Sequence, residues 1–252
     1  MPARFLEAKV QPQFLQSQDL EELLTLARQK YRVAFETVKI GDTELEVLQI
    51  ADLNEYLDQL AESTQESISL PLWSKIWPAS ILLSYHLGTL PVNSSTSVLE
   101  LGAGVGLCGM YAATRGFFVT LTDNHEDALL FAKINVLRNN LQEQVQVKEL
   151  DFAQDQLSEQ FSLILGSEIL YHEDIYSPLV LFLKNHLYPD PAAEILLAAS
   201  RDRSPEQFFQ IAKNEFNIAR KDFGYQDVSA QSSEDSDSFQ GTIYRLKRKG
   251  HD

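Results

Sequence analysis

The chain has 252 residues, of which 44% are hydrophobic and 23% charged, as is typical of a globular protein rather than a disordered or fibrous one. Its 36 acidic residues outnumber its 21 basic residues, which gives a formal net charge of −15. This charge argues against nucleic-acid binding through a basic face, because such binding requires clustered lysine and arginine side chains to neutralise phosphates.

Residues 1–70 are predicted to form an N-terminal extension that contains helices and a β-hairpin. Apolar residues recur at helical spacing in its first part: Leu20, Leu23, Leu24 and Ala27. Two β-rich segments then flank Gly41-Asp42, which is a typical sequence for the turn of a hairpin. We therefore divide the chain into this extension and a second domain that covers residues 71–252.

From residue 72 onward, predicted helices alternate with predicted strands. The helices are expected at residues 73–87, 107–115, 125–141, 174–187 and 205–215, and the strands at 97–101, 117–122, 145–150, 161–165 and 195–200. The helix over 125–141 carries an apolar stripe formed by Leu130, Ile134, Leu137 and Leu141. Residues 216–224 and 239–248 form two more strands with no helix between them, and we expect this pair to be antiparallel. The predicted fold is α/β, a Rossmann-like doubly wound sheet of seven strands with a terminal antiparallel pair.

A glycine-rich loop between the first of these strands and the next helix is the clearest motif. Gly102, Gly104 and Gly106 alternate along it, so the backbone can turn tightly and approach a ligand without an intervening Cβ. The loop also matches the Gly-x-Gly-x-x-Gly dinucleotide pattern, with Asp123 at the spacing of a ribose-binding acid. Glu100, directly before the loop, favours another ligand, because a carboxylate there suits a cationic amino group better than a pyrophosphate.

This loop resembles motif I of the class I S-adenosylmethionine-dependent methyltransferases, in which an acid precedes three alternating glycines. The resemblance implies S-adenosylmethionine as the cofactor, with Asp123 holding the ribose hydroxyls. It further implies that Asp151, after the third strand, contacts the adenine amine and that Phe152 packs on the purine. We also include Asn124, which follows Asp123, and Ser167, which lies just after the predicted strand over residues 161–165, in the expected cofactor site.

Two further segments, residues 71–87 and 161–171, resemble the seven-β-strand protein methyltransferases called methyltransferase family 16. Members of that family methylate lysine in specific proteins, and a minority methylate histidine. The family's tryptophan-containing helix covers the cofactor, and Trp77 matches that tryptophan. Its Asp-x-x-Tyr motif borders the substrate channel and here begins with Glu168 and ends with Tyr171. Glutamate at the first position also occurs in the histidine-methylating branch, so this departure weakens an assignment to lysine.

These residues predict methylation of a side-chain nitrogen, lysine or histidine, in a protein substrate. Glu168 is expected to position the nucleophile and to accept a proton from it, and Tyr171 to form part of the channel wall, with a cation–π contact to the substrate. Methylation of a small-molecule amine, an NAD-linked oxidoreductase and a non-catalytic cofactor-binding module are the alternatives. The oxidoreductase lacks a recognisable hydride-transfer constellation, and a decayed module would not be expected to retain every residue of the glycine motif.

The remaining features concern location and partners. One cysteine, Cys108, excludes an intramolecular disulfide and a Cys-rich zinc site, and the histidines show no metal-ligand spacing, so no metal is expected. The N-terminus has no apolar leader, and no apolar segment approaches the roughly 20 residues of a membrane span. We therefore expect a cytoplasmic monomer that acts on a protein and binds neither membrane nor nucleic acid.

Overall fold

The computed structural model describes residues 10–62, 71–92, 96–201, 205–226 and 238–250. The helices are α1 (Leu20–Lys30), α2 (Leu53–Glu62), α3 (Pro78–Gly88), α4 (Leu107–Thr114), α5 (Glu126–Arg138), α6 (Tyr176–His186) and α7 (Glu206–Ala212). The strands are β1 (Val33–Ile40), β2 (Thr43–Ile50), β3 (Ser97–Leu101), β4 (Phe118–Asp123), β5 (Val145–Glu149), β6 (Leu163–Ser167), β7 (Glu194–Ser200), β8 (Phe216–Gln226) and β9 (Ser238–Arg248). None of the described helices has the length and apolar character needed to cross a bilayer.

Seven strands form one sheet in the order β5-β4-β3-β6-β7-β9-β8. The first five are parallel, whereas β9 is antiparallel to both β7 and β8. The predicted doubly wound sheet with a terminal antiparallel pair is therefore confirmed. The chain runs outward from β3 to β5 and then returns to β6 on the other side of β3, so the strand order reverses there. Ligands of open α/β sheets bind at the carboxyl ends of strands beside such a reversal.

Helices cover both faces of the central parallel strands, which explains why β6 and β7 are almost continuously apolar. Val98 of β3 packs in a cluster with α3, α4 and α5, whereas its neighbour Leu99 packs in a second cluster with α6 and α7. Successive side chains of a strand point to opposite faces, so one short strand contributes to both clusters. The edge formed by the strand ends is consequently where a ligand can approach.

The N-terminal elements share this core. β1 and β2 pair around Gly41, whose φ of +59° suits a tight turn, and the predicted hairpin is confirmed. Leu23 of α1 and Val47 of β2 are buried in the cluster that contains α4 and α5. As a result, α5 is buried on nearly every side, and not only along the predicted stripe. Its buried residues include Asp127 and Lys133.

Asn135 of α5 and Asn139, the C-cap of α5, hydrogen-bond to β2. The Leu48 N–H donates to Asn135 Oδ1 at 2.7 Å, and the Glu46 N–H donates to Asn139 Oδ1 at 2.9 Å. Asn139 Nδ2 returns a bond to the Glu46 carbonyl at 2.8 Å, whereas Asn135 Nδ2 donates to the Val105 carbonyl at 2.9 Å. Asn135 therefore connects the hairpin to the glycine loop, and Asn139 contacts the hairpin without contacting that loop.

The helix predicted over residues 73–87 is wrong at its start. Leu72–Ser74 form one 3₁₀ turn, and the α-helix begins only at Pro78. Proline suits the first helical position but disfavours helical backbone in the residue before it, so Trp77 has φ −82° and ψ 138°. Trp77 is the N-cap of α3 rather than an internal residue. The predicted domain boundary at residue 70 lies outside the described residues.

Candidate active site

A cleft of about 680 Å³ opens at the carboxyl ends of the parallel strands, within the usual size range of small-molecule sites. We call residues 100–109, the glycine loop and its flanks, the cleft floor, and residues 72–77 the cleft wall. The predicted site residues that line the cleft are Trp77, Gly102, Gly104, Asp123, Asn124, Asp151, Phe152, Ser167, Glu168 and Tyr171. Glu100 and Gly106 are not among the lining residues.

The glycines of the cleft floor allow both tight turning and close packing. Gly102, Gly104 and Gly106 have φ of +60°, +55° and +83°, a conformation that other residues rarely adopt. A Cβ on Gly104 would lie 2.7 Å from the Trp73 carbonyl oxygen, and one on Gly102 would lie 2.9 Å from Cγ2 of Ile169. The floor therefore lies directly against the wall at Gly104, which leaves no room there for any side chain.

The Glu100 side chain lies beneath the backbone of the floor and not in the ligand space, in contrast to the role expected from the sequence. Strand alternation places it on the same face as Val98, beneath α4. Its side chain is buried, and its Oε2 accepts the Gly109 N–H at 2.7 Å. Burial raises the pKa of Glu100 to about 8, although the Gly109 N–H acts in the opposite direction. The carboxyl group thus fastens the end of β3 to the first turn of α4.

Asp123 ends β4 and faces the cleft. Its Oδ2 accepts the Gly104 N–H at 2.9 Å, and its Oδ1 accepts the His125 N–H at 3.0 Å. Burial raises the pKa of Asp123, while these two N–H groups oppose that rise. Each carboxylate oxygen has further acceptor capacity, so the group can still accept two hydrogen bonds from a vicinal diol. The adjoining Asn124 is exposed at the cleft rim.

Asp151 and Phe152 follow β5 on the same side of the cleft. Asp151 starts a tight turn in which its Oδ1 accepts the Ala153 N–H at 2.9 Å and its Oδ2 accepts Gln154 Nε2 at 2.7 Å. The half-buried Phe152 ring lies beside it, with its centroid 6.5 Å from that of Phe182. An acceptor next to an aromatic ring suits a flat base that carries an amine.

Glu168 and Tyr171 form the opposite side, after β6. Glu168 has φ +55°, a strained conformation for a residue other than glycine, and such strain persists only where the surroundings enforce it. Its N–H donates to the Ala198 carbonyl at 2.9 Å, and its Oε1 accepts the Ser200 N–H at 2.7 Å. Both bonds tie the residue to β7, so its carboxylate is held in one place at the cleft.

The Tyr171 ring is half-exposed at the cleft mouth, with its centroid 4.9 Å from the His172 ring. Partial burial raises the pKa of Tyr171, and the nearby carboxylates of Asp123, Asp151 and Asp174 raise it further. The hydroxyl therefore stays neutral at physiological pH, in a region of negative potential. Such a region favours a cationic group that enters from solvent.

The cleft wall is held by aromatic contacts that sequence reasoning missed. Trp73 stacks on His125 with ring centroids 5.3 Å apart, and it meets Phe131 and Tyr31 edge-on at 4.9 and 5.8 Å. The Tyr31 hydroxyl donates to Asp127 Oδ2 at 2.7 Å. The C-cap of α1, Tyr31, and the first half of α5 with its N-cap thereby support the same tryptophan.

Asp127 also receives a bond from Lys30, at 2.6 Å to Oδ1. Burial raises the pKa of Asp127, but the bonds from Lys30 and Tyr31 lower it by more, so the group remains ionised at neutral pH. Burial and the bond to Asp127 raise the pKa of Tyr31. Asp127, Lys30 and Tyr31 therefore keep the same charge states around pH 7.

Lys75 is a further lining residue that the sequence interpretation omitted. Lys75 and Trp77 both have extended backbone, so they point to the same side, and Lys75 Nζ lies 5.1 Å from the centroid of the Trp77 ring. The Trp77 Nε1 donates to the Leu72 carbonyl at 2.9 Å, which fixes the ring. Pro78 was the signal that could have revealed this arrangement, because it ends the helical pattern before Trp77.

The comparisons with known proteins agree with this geometry. Residues 54–215 match a family model described as "Lysine methyltransferase". The chain is 34% identical over 153 residues to the protein N-lysine methyltransferase METTL21A of Mus musculus, covering 58% of this chain and 69% of that protein. It is 31% identical over 174 residues to the Xenopus tropicalis METTL21A, covering 65% and 78%.

The fold is also similar to that of a solved enzyme with a bound ligand. The N-methyltransferase NodS from Bradyrhizobium japonicum, in complex with S-adenosyl-l-homocysteine, has a TM-score of 0.53 to this chain. The two sequences are 16% identical, and the similarity covers 79% of this chain and 100% of NodS. At this identity the similarity concerns the fold alone.

Proposed function

This chain belongs to the lysine methyltransferase family, and from that membership we propose that it methylates the side-chain amine of a lysine in a protein. It is an S-adenosylmethionine-dependent methyltransferase. The observation that carries the proposal is the fixed Glu168 carboxylate and the half-exposed Tyr171, which face the glycine loop across one cleft. A cofactor held on the floor and a lysine entering past Tyr171 would meet there.

The residues present suit S-adenosylmethionine. Two strand-end carboxylates, an aromatic ring and a glycine floor match a ligand that combines a diol, an adenine and an amino-acid group. We assign Asp123 to the ribose hydroxyls, Asp151 to the adenine amine and Phe152 to the purine face. Gly102 and Gly104 form the surface beneath the amino-acid part. The remaining contacts are assigned to Trp77, Asn124 and Ser167. Glu100 and Gly106 belong to the floor but do not line the cleft, and we assign them no contact with the ligand.

The bound cofactor supplies a methyl group that is already activated by a sulfonium, so the protein's task is alignment and proton management. A free lysine amine has a pKa near 10.4, and it must lose its proton before it can act as a nucleophile. Partial desolvation in the cleft favours the neutral amine. We assign to Glu168 the roles of orienting this amine and accepting its proton, and to Tyr171 that of holding the aliphatic stem and the cationic head as they enter.

The proposed enzyme works as a monomer in the cytoplasm and acts on a protein rather than on a nucleic acid. The net charge of −15 supports a protein substrate, because a negative surface repels phosphate and attracts basic segments. The negative potential at Tyr171 supports the entry of a lysine ammonium in particular.

The first test is calorimetric titration of the purified chain with S-adenosylhomocysteine, with NADH titrated in parallel. We expect micromolar binding of S-adenosylhomocysteine and no binding of NADH. Methylation of a lysate with a labelled donor, followed by mass spectrometry of the labelled protein, should then place the methyl group on lysine. Label on histidine, or on small molecules only, would overturn the lysine assignment, and failure to bind S-adenosylhomocysteine would overturn the proposal as a whole.

A further inference from the structure

The charges that line the cleft are unequally distributed. Asp123, Asp151 and Glu168 provide carboxylates, whereas Lys75 is the single lysine or arginine among the described lining residues. The amino-acid end of S-adenosylmethionine carries both an ammonium and a carboxylate. Carboxylates in the cleft suit the ammonium and the hydroxyl groups of the ligand, but they repel its carboxylate.

In the proposed placement of the cofactor, whose amino-acid part lies over Gly102 and Gly104, Lys75 is near that end of the ligand. The cleft wall crosses the floor at Gly104, where the Trp73 carbonyl occupies the space of a missing Cβ. Lys75 lies two residues farther along the wall, and Nζ extends over the Trp77 ring, which limits its conformations. Among the described residues, no carboxylate forms an ion pair with this ammonium.

Helix α3 begins next to Lys75 and adds a favourable field. Its N-cap, Trp77, contributes no side-chain cap, and Ser80 in its first turn lines the cleft. The N-terminus of a helix carries a partial positive charge, which attracts an anion within about one turn. The lysine and the helix start therefore act on the same part of the cleft.

We propose that Lys75 binds the carboxylate of the cofactor's amino-acid group, next to the start of α3. This inference rests on the proposed function, because it requires the cofactor to lie on the cleft floor. A charge-assisted hydrogen bond from an ammonium to a carboxylate is among the stronger polar contacts, and the Trp77 ring shields it partly from water. Lys75 is thus a further cofactor-binding residue, and it determines the direction in which the amino-acid group lies.

The test compares two ligands that differ only in the carboxylate: S-adenosylhomocysteine and its decarboxylated analogue, S-adenosyl-3-thiopropylamine. Both are titrated calorimetrically into wild type, Lys75→Met and Lys75→Arg. For Lys75→Met we expect the Kd of S-adenosylhomocysteine to rise about tenfold, as for the loss of one charge-assisted contact. The Kd of the analogue should stay constant or fall, because the substitution removes repulsion from the ligand's ammonium. Lys75→Arg should retain most of the affinity for S-adenosylhomocysteine.

The control is Lys39→Met, which removes an exposed lysine of the hairpin outside the cleft and should change neither Kd. Thermal unfolding of each variant confirms that it folds. If Lys75→Met weakened the binding of both ligands equally, Lys75 would only shape the wall. If it weakened the binding of neither, the carboxylate of the ligand would lie elsewhere. Either result overturns this inference while leaving the proposed function intact, whereas wild type that binds neither ligand would overturn the proposed function.

Discussion

The floor and the wall of the cleft are held by different kinds of contact. The floor is built mainly from one contiguous segment, in which Glu100 bonds Gly109 nine residues later and the glycines supply the turns. The wall depends on partners far away in the chain, since Trp73 rests on Tyr31, His125 and Phe131. The part of a site made by a local motif is specified by short-range sequence, whereas the part that encloses the ligand depends on how distant elements pack.

The largest expected effect comes from breaking the contact between the two regions. Gly104→Val places a branched side chain on a residue with φ +55°, against the Trp73 carbonyl. It should displace the wall from the floor and abolish binding of S-adenosylhomocysteine in calorimetry. The parallel sheet should persist in circular dichroism, because Gly104 lies outside the strands.

Gly41→Val is the matched control. Gly41 has a similar φ of +59°, but no atom lies within 4 Å of its Cβ position. The Gly41→Val variant should be less stable than wild type because of backbone strain, and it should keep its affinity for S-adenosylhomocysteine. If both variants lost binding equally, strain alone would explain the effect, and the close contact at Gly104 would be unimportant.

Glu100→Gln tests the contribution of the buried Glu100 carboxyl group, which bonds Gly109 within the floor. The folded-state pKa of Glu100 is raised to about 8, while the unfolded value is near 4.5. Between these values the unfolded chain has released the proton and the folded chain retains it, so rising pH lowers the stability of wild type. Relative to Glu100→Gln, wild type should lose at most about 5 kcal/mol between pH 4.5 and 8. Urea unfolding at several pH values measures this difference, and parallel profiles for the two proteins would contradict it.

One residue, Asn135, joins the floor to the distant hairpin. Asn135→Leu removes the partners of the Leu48 N–H and the Val105 carbonyl, and each unpaired buried group costs about 1–3 kcal/mol. We expect the unfolding free energy to fall by about 2–6 kcal/mol and the Kd of S-adenosylhomocysteine to rise about tenfold.

Asn139→Leu provides the comparison, because it unpairs the N–H and carbonyl of Glu46 in the same hairpin and does not contact the floor. It should lower stability with little change in the Kd. Equal losses of affinity in both variants would mean that the whole hairpin supports the cofactor site, and the bond to Val105 would not be special.

These contrasts show which features could be predicted from the sequence. The alternating sheet, the glycine loop and the strand-end position of Asp123 were predictable, because each depends on periodicity or on spacing within a short segment. The burial of Glu100 was accessible too, since it shares a face with Val98, but the motif resemblance directed attention to the ligand. The contacts of Trp73 with Tyr31 and His125 could not be predicted, because no local pattern specifies which of several aromatic residues will meet across 42 or 52 positions of chain.

The smallest expected effect isolates the polar support of the wall. Tyr31→Phe keeps the ring that packs on Trp73 and removes only the hydroxyl bond to Asp127, which retains its bond from Lys30. We expect a stability loss of about 1 kcal/mol and a rise in the Kd of S-adenosylhomocysteine of about twofold to threefold. Tyr56→Phe removes a hydroxyl from a neighbouring ring, 5.6 Å from Tyr31, and should leave the Kd unchanged. A tenfold loss of affinity for Tyr31→Phe would show that this one hydrogen bond holds the wall more than ring packing does.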